Sequence, residues 1–226
     1  MGKQNIKLMG VVAAAAFLLA PVANAQLSLR LDDGTATATV TDTSDSGMVN
    51  FSGSLGAWTA NVTSGFGAPL LGSDWMDEFD LNSVNVSGGS GSMTIMLTQT
   101  NLTRTNAPWM AGFGGTTDGS VSFQSWVDAG NNAFAQNTLV SDSGVQNGGQ
   151  SCNGCFGGGD SGGLGGFSLS GPYSWTIVAT ITHSDAFKVT SFDYNVKIPE
   201  PSSLALLGLG LIGAGIASRR KAKKTA

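Results

Sequence analysis

The chain has few of the side chains that most often carry out chemistry in proteins. It contains one histidine, two cysteines and two tyrosines in 226 residues, and charged residues make up only 12% of it. A single histidine offers no second imidazole for a metal site, and two cysteines cannot build a four-cysteine zinc site. The composition therefore argues against metal-dependent or histidine-based catalysis.

Positive charge is scarce between the two ends of the chain. Of the 11 lysines and arginines, two lie in residues 1–25 and five in residues 199–226, whereas Glu200 is the only one of the 15 acids outside residues 26–198. The middle of the chain therefore has a formal charge of about −10. Such a surface repels nucleic acid and anionic lipid, so nucleic acid is excluded as an expected partner.

The first 25 residues have the pattern of a secretory signal peptide. Lys3 and Lys7 form a positive start, residues 11–20 form an apolar run, and Ala23 and Ala25 give the small-x-small pattern of a signal peptidase site. We expect the secretion machinery to export the chain and signal peptidase to cut it after Ala25.

The last 28 residues form a second, three-part signal. Its parts are the turn Pro199-Glu200-Pro201, the 17 uncharged residues 202–218, and a basic end of Arg219, Arg220 and three lysines. As a helix, the uncharged part would reach about 25 Å, which is marginal for a hydrocarbon core of about 30 Å. The cations would stay on the cytoplasmic side. We expect a short hydrophobic helix that holds the chain at the membrane.

This three-part tail closely resembles the PEP-CTERM sorting signal. The resemblance implies an exported protein of a Gram-negative bacterium that makes extracellular polysaccharide. It also implies an exosortase, a membrane cysteine protease, as the partner that recognises the Pro-Glu-Pro region and removes the tail. The resemblance covers residues 199–226 only, and a membrane anchor that is retained is the alternative.

Residues 26–198 are expected to form one all-β domain. Segments with alternating or β-branched residues are separated by turn-forming residues, and no segment shows a helical period. Those segments are 35–41, 56–63, 81–87, 92–100, 120–127, 173–183 and 187–197. Eight to ten short strands predict an antiparallel β-sandwich, of which the jelly roll is one form. A β-solenoid is the alternative, but no repeat period supports it. The glycine-rich residues 144–167 predict a long, mobile loop.

A GDSGG sequence ends at Gly163 and contains Ser161, as around the nucleophile of chymotrypsin-like proteases. In those proteases the histidine base precedes the serine, whereas the one histidine here, His183, follows it. Hydrolases with a nucleophile elbow need an acid between serine and histidine, and residues 162–182 contain none. We expect no catalytic residue and no enzymatic activity.

Cys152 and Cys155 form a CxxC pair. In an oxidising compartment the pair predicts a small disulfide that pins the glycine-rich loop. A redox role would need a setting that lowers a thiol pKa, and a zinc site would need two further ligands.

Two groups of acids could hold calcium or act as paired carboxylates: Asp74, Asp77, Glu78 and Asp80, and Asp32, Asp33, Asp42 and Asp45. Neither group has the spacing of an EF-hand loop. The plain interpretation is solvated acids at strand ends. No cofactor is expected, calcium is left open, and no metal ligand is assigned.

The tryptophans divide by their surroundings. Trp58, Trp126 and Trp175 lie within strand patterns and are expected in the core. Trp75 and Trp109 lie in loop-like stretches, where an exposed ring could stack on a sugar. These two residues are the candidate glycan contacts.

Together these features predict an exported protein of the cell envelope or extracellular matrix, with a structural or adhesive role and extracellular polysaccharide as a partner. A carbohydrate-binding module, with or without calcium, is the alternative. A secreted hydrolase is a third hypothesis, which requires carboxylates that converge in a cleft.

Overall fold

A computed structural model describes residues 25–71, 76–105, 107–149 and 153–199. Within these residues the chain forms twelve strands in two six-stranded antiparallel sheets. The predicted antiparallel β-sandwich is therefore confirmed, while the expected eight to ten strands are too few. The predicted signal peptide lies outside the described residues except for Ala25, and the predicted C-terminal helix lies wholly outside them.

The two sheets are built from alternate parts of the chain. Sheet A contains β1 (Leu27–Asp32), β2 (Thr37–Thr41), β6 (Gly91–Leu102), β8 (Ser120–Asp128), β9 (Thr138–Asn147) and β11 (Tyr173–His183). Sheet B contains β3 (Met48–Leu55), β4 (Trp58–Phe66), β5 (Met76–Gly88), β7 (Pro108–Thr117), β10 (Cys155–Gly163) and β12 (Val189–Pro199).

The strand orders are β2-β1-β6-β11-β8-β9 in sheet A and β10-β7-β12-β5-β4-β3 in sheet B. The chain changes sheet between β2 and β3, at every connection from β5 to β8, and at every connection from β9 to β12. The jelly-roll form of the sandwich stays a prediction. Within the described ranges, the structure contains no helix with the length and apolarity that a membrane span requires.

Aromatic side chains fill the space between the sheets. Trp175 of sheet A is fully buried, with ring centroids 6.0 Å from Phe79 and 6.2 Å from Trp109 of sheet B. Phe123 of sheet A lies 5.1 Å from the Phe192 ring across the core. Because side chains alternate between the faces of a strand, the neighbours of these core residues stand on the outer faces of the sheets.

Both ends of the described body lie at the same end of the sandwich. Gly67, which follows β4, lies beside Leu27 at the start of β1, because a Cβ built on it would be 2.8 Å from the Leu27 Cδ1. Phe66 pairs with Asp80 on one edge of β5, and the last residue of β12, Pro199, pairs with Met76 at the start of β5 on its other edge. Residues 27 and 199 therefore lie at one end of the sandwich.

The prediction of a mobile loop over residues 144–167 is wrong for most of that segment. Strand β9 continues to Asn147, β10 covers Cys155–Gly163 and pairs with β7, and a 3-10 turn follows at Leu164–Gly166. Between the strands, Gly154 donates its backbone N–H to the Gly149 carbonyl oxygen at 2.8 Å. Residues 148–154 therefore separate β9 from β10.

The glycines of β10 make room for aromatic rings of β7. A Cβ built on Gly158 would lie 2.7 Å from the Phe113 Cζ, and one built on Gly162 would lie 2.9 Å from the Trp109 Cζ2. Both distances are far below the 3.5–4.0 Å of an ordinary carbon contact. Glycine is required here by the partner strand, which is a different reason from the flexibility that the sequence suggested.

Residues 129–137, called the 129–137 loop, fold back over the outer face of sheet A and are held at their base by Asp128. This carboxylate, 3% exposed, accepts hydrogen bonds from the Gly130 N–H at 2.9 Å, the Asn132 N–H and Nδ2 at 2.9 Å, and the Asn137 Nδ2 at 2.7 Å. Burial opposes ionisation, but these hydrogen bonds outweigh it and lower the pKa of Asp128 to about 2.

We expect Gly162→Ala to destabilise the exported protein by about 1–3 kcal/mol, because its methyl group would overlap the Trp109 ring. Gly163→Ala is the matched control, since a Cβ at Gly163 meets nothing within 4 Å. Urea unfolding of the two variants measures the difference. Equal free energies of unfolding would contradict the proposed packing of β10 on Trp109.

We expect Asp128→Asn to remove a pH-dependent part of the stability. The folded-state pKa of Asp128 lies below the unfolded value of about 4, so its contribution is complete above pH 4 and is lost as the pH falls through about 2. Unfolding of the wild type and the variant should differ at pH 6 by roughly 2 kcal/mol and converge towards pH 2. A difference that does not change with pH would contradict this role.

Candidate functional site

The outer face of sheet A is unusually rich in hydroxyl groups. We call this surface the hydroxyl face; its serines and threonines are Ser28, Thr37, Thr39, Thr41, Ser92, Thr94, Thr98, Ser120, Ser122, Thr176, Thr180 and Thr182. The strand register brings them opposite one another, at the usual spacing of about 4.8 Å between strands.

Several of these hydroxyls are hydrogen-bonded across strands. Ser28 donates to the Thr41 Oγ1 at 3.0 Å, and Thr98 and Thr176 share a hydrogen bond of 2.9 Å. Ser28, Thr98 and Thr176 are buried, at 4%, 0% and 0% exposure. A ligand would therefore meet the other hydroxyl groups of the face, each of which has one donor and two acceptor sites. Thr39, on β2, and Thr182 are exposed to solvent. The face can therefore offer both donors and acceptors to a ligand.

The 129–137 loop borders this face and places an aromatic ring on it. Phe134 donates its backbone N–H to the Thr98 Oγ1 at 3.0 Å. It does so with a φ of +61°, a left-handed conformation that is uncommon for a bulky residue. Asn131 anchors the same loop to β6, because its Oδ1 accepts the Asn101 N–H at 2.7 Å.

Arg30 stands in the middle of this border. Its guanidinium carbon lies 4.0 Å from the centroid of the Phe134 ring, which is a cation–π contact. Its Nε is buried and has no hydrogen-bond partner among the described residues, while the side chain as a whole is half-buried. Met96, opposite Arg30 on β6, accepts a weak hydrogen bond from the Gln136 Nε2 at 3.8 Å.

Trp126 is not in the core, as its strand pattern had suggested, but half-buried on the hydroxyl face. It pairs with Thr176 on one side and with Leu139, which is 43% exposed, on the other. The error came from the phase of β8, in which Phe123, Ser125 and Val127 point inward. The expected core positions of Trp58 and Trp175 are confirmed.

The prediction that Trp109 is an exposed glycan contact is wrong. Trp109 is 4% exposed, covered by Gly162 and packed against Trp175. The proline and glycines that flank Trp109 in the sequence suggested a loop, but they belong to strand β7. Trp75, the other candidate glycan contact, lies outside the described residues.

The residues of the protease-like motif are not brought together. Ser161 lies on the exposed edge strand β10, and its hydroxyl group has no basic side chain as a hydrogen-bond partner among the described residues. Its own backbone N–H donates to the Asp160 carboxylate at 2.8 Å. His183 is 1% exposed and lies 4.9 Å from the Trp58 ring. Its Nδ1 is 3.1 Å from the Gly88 carbonyl oxygen and its Nε2 is 2.9 Å from the Thr190 Oγ1. His183 is thus engaged in packing and hydrogen bonding within the core.

The early acids serve the turns that follow their strands. Asp33 accepts the Ala36 N–H at 2.6 Å, and this hydrogen bond is the main reason that its pKa is lowered. Asp42 accepts the Gly47 N–H at 2.6 Å, and burial is outweighed by such bonds so that its pKa falls to about 2. In the described part of the chain, no three acidic, histidine or cysteine residues are close enough to hold a metal ion.

The second acidic group is divided between two ion pairs and one carboxyl group, that of Asp80, which forms no ion pair among the described residues. Asp77 pairs with Arg104 at 2.8 Å and Glu78 with Lys197 at 3.0 Å, whereas Asp74 lies outside the described residues. Burial on the outer face of sheet B raises the pKa of Asp80 to about 6, helped by the nearby negative charges. Nothing in this arrangement gathers the group around one point.

The remaining predicted residues lie at or beyond the boundary of the described structure. Cys155 begins β10, and the described part of the chain contains no free cysteine. Cys152 lies outside it, so the Cys152–Cys155 disulfide stays a prediction. Pro199 ends β12, whereas the other sorting and processing residues lie outside the described residues: Ala23, Glu200, Pro201, Arg219 and Arg220.

Sequence reasoning did not find Arg30 and Phe134. Arg30 was seen only as one of the four cations of the middle segment, and Phe134 follows a stretch of turn-forming residues. The one signal in the sequence that could have pointed to Arg30 was the scarcity of cations in residues 26–198, because it makes an arginine in the middle of strand β1 unusual. Their contact depends on a loop that crosses two strands, and no local pattern encodes that.

No curated protein matches the chain. Among solved structures, TmCBM61 in complex with β-1,4-galactotriose is similar, with 11% identity over 66% of this chain and 92% of that one, and a TM-score of 0.32. The C-terminal CBM6 of LamC from Zobellia galactanivorans has 9% identity over 74% and 98%, and a TM-score of 0.29. The K1 cleaved adhesin domain of Lys-gingipain from Porphyromonas gingivalis W83 has 14% identity over 68% and 98%, and a TM-score of 0.34.

The end of the chain gives a more specific match. A family model described as the PEP-CTERM protein-sorting motif matches residues 197–221. The match contains the Pro-Glu-Pro turn, the uncharged run and the first cations, which are the features on which the resemblance rested. The C-terminal segment of this chain is a PEP-CTERM sorting motif, and the motif marks the chain as an exported protein.

Proposed function

We propose that the protein is a non-enzymatic component of the cell envelope or extracellular matrix of a Gram-negative bacterium, which associates with extracellular polysaccharide through the hydroxyl face. The observation that carries this proposal is the display of hydroxyl groups across neighbouring strands of sheet A. Sugars present many hydroxyl groups, and a protein hydroxyl can donate to or accept from any of them.

Apolar side chains on the same face support the proposal. The half-buried Met96 lies between the threonine rows, and Trp126 with the exposed Leu139 lies towards β9. The C–H faces of sugar rings need such apolar ground, while polar groups beside it set orientation. A sheet face with both kinds of group fits an extended polymer better than a small enclosed ligand.

The position of the two chain ends supports delivery through a membrane. Residues 25 and 199 border the predicted signal peptide and the sorting motif, and both lie at one end of the sandwich. A chain that carries both terminal segments can therefore present both to one membrane, with the body on the outer side. The partners in this step are the secretion machinery, signal peptidase and an exosortase-type protease.

We expect Thr180→Glu to weaken binding of the exported protein to the polysaccharide of the producing cell. Thr180 lies between Thr94 and Ser122 at the centre of the hydroxyl face, where a longer charged side chain would lift a polymer off the sheet. Thr59→Glu is the matched control, because Thr59 is exposed on the outer face of sheet B.

Co-sedimentation with the isolated polysaccharide measures this effect. The expected loss for Thr180→Glu is about tenfold or more in affinity, from one or two lost hydrogen bonds and a steric clash. Equal losses in both variants, or no binding by the wild type, would contradict the proposal.

We also expect the mature protein to end at residue 199 or later. Val196 and Ile198 are fully buried, and Lys197 is paired with Glu78 of β5 and Met110 of β7. A protease cannot reach these bonds unless the end of this internal strand leaves the sheet, although the sorting motif already begins at residue 197.

Mass spectrometry of the protein from cells with and without the sorting protease tests this expectation. The wild-type cells should give a chain that has lost its tail but keeps residues up to 199, and cells without the protease should give the intact tail. A mature end before residue 199 would contradict the protection by β12, and an intact tail in both strains would show a retained anchor.

A further inference from the structure

We propose that Arg30, held by Phe134, is a binding site for the carboxylate groups of an acidic polysaccharide. This inference rests on the proposed function, because it names the class of polymer that the hydroxyl face takes. Arg30 is one of four cations in residues 26–198, and among the described residues it forms no ion pair.

The acids on the same face are turned to other partners. Asp32, two residues along β1, accepts the Gly34 N–H at 2.7 Å. Asp142 of β9 accepts the Gln124 Nε2 at 2.8 Å through one oxygen and the Gly144 N–H at 2.8 Å through the other. Arg30 therefore keeps its charge available, in a body whose net charge is strongly negative.

The guanidinium is also held in one orientation. The Phe134 ring lies 4.0 Å from its central carbon, and the Nε end of the group is buried. A planar guanidinium of this kind matches the two oxygens of a carboxylate, and a group that is already oriented loses less entropy on binding. Cation stacking on an aromatic ring leaves the donor edge of the guanidinium free for such a ligand.

The structure holds Phe134 in place at a conformational cost. A phenylalanine with a φ of +61° is strained, and such strain persists only when the surroundings impose it. Here the Asp128 hydrogen bonds hold one side of the loop, and the bonds from Phe134 to Thr98 and from Asn101 to Asn131 hold the other. The loop thus supplies a rigid support for one arginine.

Hydroxyl and apolar groups continue from Arg30 in both directions along one row of the sheet. Thr39 faces it on β2, and Met96 and Gln124 follow on β6 and β8, with the buried Val178 of β11 between them. The row from Arg30 to Gln124 spans about 14 Å at the usual strand spacing. A uronate-containing chain laid along it would put a carboxylate on Arg30 and neutral parts of its sugars on Thr39, Met96 and Gln124.

The test measures binding of the exported protein to polygalacturonate, to the same polymer after methyl esterification, and to dextran sulfate. We expect the wild type to prefer polygalacturonate, with an affinity that falls as salt rises. Arg30→Gln should lower that affinity about 10- to 100-fold and abolish the preference over the ester. Lys188→Gln is the control, because it removes the same charge from a different part of the surface.

Two further variants test the geometry. Arg30→Lys keeps the charge but loses the planar pair of donors, so it should restore only part of the affinity. Phe134→Leu keeps the loop apolar but removes the cation–π contact, and it should weaken binding with little change in the free energy of unfolding. Full affinity in both variants would overturn the role assigned to the oriented guanidinium.

The outcomes separate this inference from the proposed function. Equal binding of polygalacturonate and its methyl ester, or an Arg30→Gln variant that binds like the wild type, overturns the carboxylate site, while binding to the producing cell's polysaccharide still supports the hydroxyl face. A preference for dextran sulfate over polygalacturonate also overturns the assignment to carboxylates. Failure to bind any polysaccharide contradicts both proposals.

Discussion

The packing of aromatic rings between the two sheets is the constraint on which the rest of the structure depends. Trp175 and Phe123 belong to the central strands of sheet A, and each meets rings of sheet B across the core. Since residues alternate between the two faces of a strand, burying these side chains commits their neighbours to the opposite face. In β11 and its neighbours those residues are mainly threonine and serine, so core packing also displays the hydroxyl face.

The same constraint explains why the 129–137 loop can hold a strained residue. The strands under the loop are kept in register by the core, and Asp128 and Thr98 therefore offer their oxygens at defined positions. A bulky residue in the left-handed region costs of order 1 kcal/mol or more, which the hydrogen bonds around it offset. The outcome is one aromatic ring placed on one guanidinium, which forms no ion pair among the described residues.

The fold class could be predicted from the sequence because strand periodicity is local. The seven patterned segments all lie in or overlap strands, and β11 has the predicted bounds, Tyr173–His183. The missed strands include three of the four edge strands, β3, β9 and β10, where one side has no neighbour and the pattern is weak, and also the internal strands β1 and β7. The glycine-rich sequence of β10 favours a loop, because glycine has no side chain that could show the alternating pattern of a strand. Gly158 and Gly162 are nevertheless required by the rings of β7, which lie where their Cβ atoms would be. The sequence predicts Trp109 at the surface and Trp126 in the core, whereas Trp109 is buried and Trp126 lies half-buried on the hydroxyl face. The reason is related, because the burial of a residue depends on which face of its strand it occupies.

What the sequence determined by itself was the sorting of the chain. A PEP-CTERM motif is a linear arrangement of turn, apolar run and cations, and its chemistry is complete in consecutive residues. The candidate binding site was decided only by tertiary structure. Arg30, Phe134 and the threonines around them come from separate strands and a loop, and their meeting depends on strand order, register and the fold-back of that loop. These depend on how the whole core packs, and so no short stretch of sequence specifies them.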